Sequence, residues 1–151
     1  MATILLDSPV GRLSVTEEGG AITALGWGGA AEGVETPLLA EARTQIADYF
    51  AGERDTFDLP LRVEGSDFQR AVCAAMLAIP FGETRTYGDL ARDLGAPAQA
   101  VGQACGGNPI PLIIPCHRVL GASGLGGYSG SGGIETKVAL LRHEGAAGLL
   151  I

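Results

Sequence analysis

The stretch "NPIPLIIPCHRVLG", Asn108 to Gly121, runs an apolar, proline-studded segment straight into Cys116, His117 and Arg118. Apolar runs this short belong in a core. A cysteine beside a histidine is a pairing that makes a nucleophile, because the thiolate is the reactive form and its fraction rises near a base, a cation or a helix N-terminus. Pro115 stiffens the backbone just ahead of the thiol and removes one amide donor. The run therefore reads as a stiff buried strand that mounts Cys116 rigidly at the mouth of a pocket. Adjacent side chains seldom face one another, so His117 is expected to act on Cys116 through a water molecule.

On either side of this stretch the chain reads as helical. "SDFQRAVCAAMLAIP" opens with Ser66 and Gln69 at capping-box spacing and closes at Pro80. Phe68, Val72, Ala75 and Ile79 make its expected buried stripe, with Cys73 beside it as a small hydrophobe. "TYGDLARDLG" is a short helix capped by Thr86 and stopped by Gly95, and "APAQAVGQACGG" is another, begun by Pro97 and ended by Gly106 and Gly107. Two short helices joined through Gly95-Ala96 have the form of a helix-turn-helix. Downstream, the Gly/Ser-rich residues 121–133 read as a loop over a pocket. "GIETKVALLRHEG" reads as a last helix with Ile134, Val138 and Leu141 on its buried face and Gly145 as terminator.

The first third has a different texture. "ATILLD", "RLSVT" and "AITALGW" are strand-like and are separated by Pro-Val-Gly and Gly-Gly turns. "TPLLAEARTQIADYFAG" reads as a helix, with Thr36 as cap, Pro37 at the first helical position and Gly52 at the end. Leu39, Ala42, Ile46, Tyr49 and Phe50 fall on one face. "FDLPLRVEG" is an extended connection. The expected organisation is α+β: a small N-terminal α/β domain of short antiparallel sheet plus helix over residues 1–62, then a mostly helical domain over residues 63–151.

Composition sets bounds. The chain has 151 residues, 46% of them hydrophobic and 18% charged, which describes a folded globular protein. No apolar run approaches the roughly 18 residues of a membrane helix, and "MATILLDSPVGRL" lacks the basic region of a signal peptide. Three cysteines, Cys73, Cys105 and Cys116, are an odd number without CxxC spacing, which argues against a disulfide framework or a structural zinc site and suits a reducing cytoplasm. The formal net charge of −7 is the opposite of what a phosphate-gripping protein usually carries.

"PCHRV" preceded by "NPIPLII" resembles the active-site signature of the O6-alkylguanine-DNA alkyltransferases, also called methylated-DNA–protein-cysteine methyltransferases. "IPFGETRTYGDLA", "AVGQACGGNP" and "GYSGSGGIETKVALLRHEG" match the same family in the same order, so the resemblance is strong from Ser66 to about Gly145 and looser before it. It implies that Cys116 takes the alkyl group from O6 of a flipped-out guanine, or from O4-alkylthymine, in a single irreversible turnover. It further implies that His117 deprotonates Cys116 through water, that Glu144 orients and charges the imidazole, and that Tyr87 donates a proton to the guanine ring. Asn108 would hinge the helix-turn-helix to the active-site strand, while Tyr128 and Ser129 would belong to the loop closing on the base. Thr86, Ala98, Gln99, Ala100 and Gln103 would face the minor groove of alkylated double-stranded DNA. No cofactor and no metal are implied, and a monomer is expected.

The family pattern is broken at Gln99, where an arginine normally replaces the extruded base. No Lys or Arg lies between Asp93 and Arg118. With the net charge of −7, this leads us to expect repair chemistry with weak DNA affinity. Two other readings remain: a protein that binds alkylated bases and flags damage without repairing it, and a thiol enzyme or redox sensor using Cys116 and Cys105 on an unrelated substrate. The presence of Cys116 weighs against the first, and the absence of CxxC spacing weighs against the second.

Overall fold

The computed structural model describes residues 1–128 and 133–146 of the chain. It divides into two compact units, the first ending at Glu64 and the second beginning at Gly65. The acidic charge divides unevenly between them. Residues 1–64 hold eleven acidic and four basic side chains, whereas residues 65–151 hold six of each. The whole net charge of −7 therefore belongs to the first unit, and the second is formally neutral.

In the first unit, β1 (Ala2–Ser8), β2 (Gly11–Glu18) and β3 (Ala21–Trp27) form an antiparallel meander. Gly19 and Gly20 make the β2–β3 turn with φ of 58° and 82°, a conformation glycine adopts without steric cost. Alternate residues, among them Ile4, Leu6, Leu13 and Val15, point to one buried face. Helix α1 (Pro37–Phe50) packs on β1 and β2 and buries Leu39, Ala42, Ile46 and Tyr49. Thr36 caps it by accepting from the Leu39 amide at 3.1 Å. The extended stretch that follows is pinned at Asp58, whose amide and carbonyl both bond the side chain of Gln45.

The second unit contains α2 (Asp67–Leu77), α3 (Tyr87–Leu94), α4 (Ala98–Gly106) and α5 (Ile134–Glu144). Thr86 and Asp89 form a full capping box at the start of α3, and Gly95 ends it in the left-handed conformation. Residues 95–97 turn the chain directly into α4, giving the helix-turn-helix. A two-residue parallel ladder joins β4 (Arg85–Thr86) to β5 (Val119–Leu120). This short ladder sets the first residue of α3, Tyr87, beside the segment that follows Cys116-His117-Arg118.

Four expectations need correction. Residues 109–115 are not a strand: the segment folds into a tight turn, with a bridge between Pro111 and Ile114 and Leu112 at φ 74°. Its three prolines and the turn at Leu112 prevent a ladder, and rigidity comes instead from burial of Ile110, Leu112, Ile113 and Ile114. The buried face of α2 is Val72, Cys73 and Met76, continued by Ile79, while Phe68 is 36% exposed and Ala75 half-buried. That face is rotated because α2 packs against both α3 and α4. Only half of the Ser66 capping box forms: Ser66 accepts from the Gln69 amide, but the Gln69 side chain donates to the Ala104 carbonyl at 2.7 Å, tying α2 to α4. Finally, α5 buries Thr136, Lys137, Leu140, Leu141 and Glu144, leaving Ile134 exposed and Val138 half-buried. An apolar stripe is a poor guide there, because two charged side chains go inward to partners of their own.

Candidate active site

Cys116 opens the 3-10 turn Cys116–Arg118 and lines a cavity of about 400 Å³, within the range of small-molecule sites. Tyr87 at the start of α3, Tyr128, Gly127, and the Gly102, Cys105 and Gly106 face of α4 complete its wall. Those three α4 positions are spaced i, i+3, i+4, so they share one side of the helix. Their small side chains leave the cavity open: a Cβ added at Gly102 or Gly106 would meet nothing within 4 Å.

The thiol is held by its surroundings before any chemistry begins. Asn108, just past the end of α4, accepts from the Ile110 amide at 3.0 Å and donates to the Ile114 carbonyl at 2.9 Å. Its amide also bonds the Cys116 sulfur. One side chain thus fastens the helix-turn-helix to both the turn and the nucleophile. Burial pushes the Cys116 thiol above its ordinary range, while the Asn108 bond and the charge of Lys137 pull it down less strongly. At rest, Cys116 is a protonated thiol and needs a base.

His117 is fully buried, and its Nε2 lies 2.8 Å from Glu144 Oε2. A carboxylate only accepts, so Nε2 carries the proton and Nδ1 presents its lone pair. Nδ1 has no hydrogen-bond partner among the described residues. Burial keeps the imidazole below its usual range, against the opposing pull of Glu144. His117 is therefore neutral near pH 7 and has one nitrogen available as a base. Glu144 is shared: Arg118 donates Nε to Oε1 at 2.8 Å and Nη2 to Oε2 at 2.9 Å, and its Nη1 reaches the Ile79 carbonyl at 2.7 Å. The fork holds the carboxylate in one orientation and balances its charge. Glu144 accordingly orients the imidazole more than it charges it.

The structure brings Cys116, Tyr87 and Tyr128 onto one cavity, with Asn108 bonded to Cys116 and the neighbouring His117 paired with Glu144 in the buried interior. Burial raises the pKa of both tyrosines, so each keeps its proton. Ala98, Gln99 and Gln103 lie exposed on α4, with Thr86 and Ala100 half-buried. Ser129 lies outside the described residues. Arg118, Lys137 and the α4 wall were missed from sequence. The spacing of Lys137, Leu140, Leu141 and Glu144, at i, i+3, i+4, i+7, was the available signal for an inward-facing lysine. Nothing in the local sequence marks Cys105, which burial pushes up to about 12 and so leaves inert.

Two family models match the chain. One, described as 6-O-methylguanine DNA methyltransferase, DNA binding domain, matches residues 67–146. The other, described as 6-O-methylguanine DNA methyltransferase, ribonuclease-like domain, matches residues 1–63. The constitutive methylated-DNA–protein-cysteine methyltransferase of Bacillus subtilis (strain 168) is 45% identical over 152 residues, covering 91% of this chain and 92% of the relative. The methylated-DNA–protein-cysteine methyltransferase of Mycobacterium tuberculosis (strain H37Rv) is 46% identical over 152 residues, covering 92% and 89%. Among solved structures, Mycobacterium tuberculosis OGT in complex with DNA superposes with a TM-score of 0.83 at 45% identity, covering 94% of this chain and 92% of that one.

Proposed function

The chain belongs to the 6-O-methylguanine DNA methyltransferase family, and from that membership we propose that it repairs O6-methylguanine in DNA by moving the methyl group onto its own Cys116. The observation that carries this assignment is the placement of Cys116 on the 400 Å³ cavity, next in the chain to His117, which is paired with Glu144. An alkyl carbon needs a soft nucleophile, and sulfur supplies one. His117 Nδ1 takes the thiol proton through a bridging water. The sulfur–carbon bond forms as the bond from carbon to O6 breaks, and the electron pair of the broken bond stays with the base. Tyr87 supplies a proton to the departing guanine ring, and the proton released by Cys116 makes good that loss. O4-alkylthymine presents the same kind of carbon to the same sulfur.

A base must leave the duplex to enter such a cavity, at an unstacking cost of a few kcal/mol. The helix-turn-helix supports minor-groove contact through the exposed α4 residues Ala98, Gln99 and Gln103, together with Ala100 and Thr86. With no basic side chain on α4 and a net charge of −7, binding is weak, and the protein acts as a monomer. No described helix is long and apolar enough to cross a membrane, and three free cysteines suit a reducing cytoplasm.

The thioether has no built-in leaving route, so each molecule repairs one lesion. Intact-protein mass after incubation with an O6-methylguanine duplex should show one added methyl, on Cys116, in proportion to lesions removed. Several lesions repaired per protein molecule, or none with Cys116 unmodified, would overturn the assignment.

A further inference from the structure

Lys137 is a fully buried ammonium that lies near the neutral thiols Cys116 and Cys105 and makes no ion pair with a carboxylate among the described residues. Burying a lone cation is costly, so its contacts need an explanation. Nζ donates to the Val119 carbonyl at 2.6 Å and to the Gly127 carbonyl at 2.9 Å. Val119 belongs to the ladder that aligns Arg85–Thr86, the residues just before Tyr87. Gly127 reaches Tyr87 directly, its amide bonding the phenol oxygen. Gly126, at φ 72°, presses on the same ring: a Cβ there would lie 3.0 Å from Tyr87 Cε2 and 3.1 Å from its hydroxyl. The ammonium itself sits 6.0 Å from the centre of the Tyr87 ring.

A phenol oxygen has one proton and two lone pairs. With the Gly127 amide on one lone pair, the O–H is directed away from the loop. Tyr87 lines the cavity, so its proton is free to turn toward the space the base would fill. We propose that Lys137 is a positioning residue for Tyr87: by fixing Gly127 it sets the amide against the phenol and turns the Tyr87 proton toward the departing guanine. This rests on the proposed methyl transfer. The rival role for Lys137 is charge partner of the Cys116 thiolate, and the two roles separate experimentally.

The test is a double-mutant cycle on single-turnover transfer from a saturating O6-methylguanine duplex. Lys137→Met keeps the stem and removes a buried charge but leaves the Val119 and Gly127 carbonyls without their donor, so its rates are taken on protein shown to be folded by urea unfolding. It should slow transfer about tenfold or more in the parent but only about twofold in a Tyr87→Phe background, because the two changes remove one function. Equal slowing in both backgrounds, with an active parent, overturns the inference. Lys137→Arg keeps a charge near Cys116, but its longer, planar fork changes the geometry of the two carbonyl bonds. It should slow transfer while the pH profile of Cys116 alkylation by iodoacetamide stays parental. Parental transfer by Lys137→Arg, or a displaced iodoacetamide profile accounting for the whole loss, also overturns it. A parent that never methylates Cys116 sinks the function itself, which is a distinct result.

Discussion

At the residue scale, His117 and Glu144 form one unit with different liabilities. His117→Ala removes the base that, among the described residues, is placed to take the thiol proton, and should slow transfer about 10²–10⁴-fold. Glu144→Gln should slow it less, since the imidazole survives. It should, however, unfold more readily, because Arg118 loses a bidentate anion while buried. Breaking such a pair costs about 3–5 kcal/mol, a loss that urea unfolding would register. If Glu144→Gln is as stable as the parent, the fork is not holding the site. The same histidine gives a pH signature. Its folded pKa is depressed by burial, so below the unfolded value of about 6.5 the unfolded chain takes up a proton that the folded one refuses. Its contribution to stability is complete above that pH and is lost as pH falls toward the folded value. His117→Gln should flatten this acid limb of a stability–pH curve.

At the element scale, the start of α3 joins stability to chemistry. Thr86 caps the helix whose first residue is Tyr87, accepting from the Asp89 amide at 3.0 Å while Asp89 returns the bond at 2.9 Å. Thr86→Ala should cost about 1 kcal/mol of stability and also slow transfer, whereas Thr86→Ser should restore both. Loss of stability without loss of rate would separate the cap from Tyr87. Helix α4 carries Gln99, where the family resemblance leads us to expect an arginine. Gln99 is exposed near its N-terminus, uncharged and without the planar guanidinium that stacks in a vacated base position. Gln99→Arg should speed repair of O6-methylguanine in duplex DNA yet leave the reaction with a free O6-alkylated guanine unchanged. Equal acceleration on both substrates would mean that the change acts on Cys116 instead.

At the scale of the whole molecule, the partition of charge matters more than its total. The neutral second unit, residues 65–151, contains the helix-turn-helix, and the first carries all of the net −7. A formally neutral unit in which Arg118 and Lys137 are buried and others are paired with neighbouring acids, such as Arg70 with Asp67 and Arg92 with Asp89, releases few counterions on binding DNA. The slope of log affinity against log salt should therefore correspond to about two to four phosphate contacts. A slope matching about eight would contradict a sparsely charged face. Long-range repulsion from the acidic unit is screened beyond about 10 Å at 0.1 M salt, so affinity should depend on salt only weakly.

Helix starts and stops were legible in the sequence because caps act within four residues: Thr36, Ser66 and Thr86 cap as expected, and Gly95 and Gly145 terminate in the left-handed conformation. The strands of the first unit were legible for the same local reason, through alternation and glycine turns. The thiol, imidazole and apolar mount, neighbours in the chain, were enough to indicate a nucleophile, and the resemblance of the signature supplied the transfer chemistry. What required the tertiary structure were the partnerships. Phe68 and Val138 look buried by periodicity, but a helix turns toward whichever neighbour it packs on. Lys137 looks solvated, and Glu144 was tied to His117 only by the family resemblance; their partners, Val119, Gly127, His117 and Arg118, lie 10 to 27 positions away. The prolines around Leu112 read as a stiff strand but fold as a turn, because rigidity there comes from burial, which depends on distant parts of the chain. Local propensity selects the elements; which polar groups go inward is decided only when other elements arrive to satisfy them.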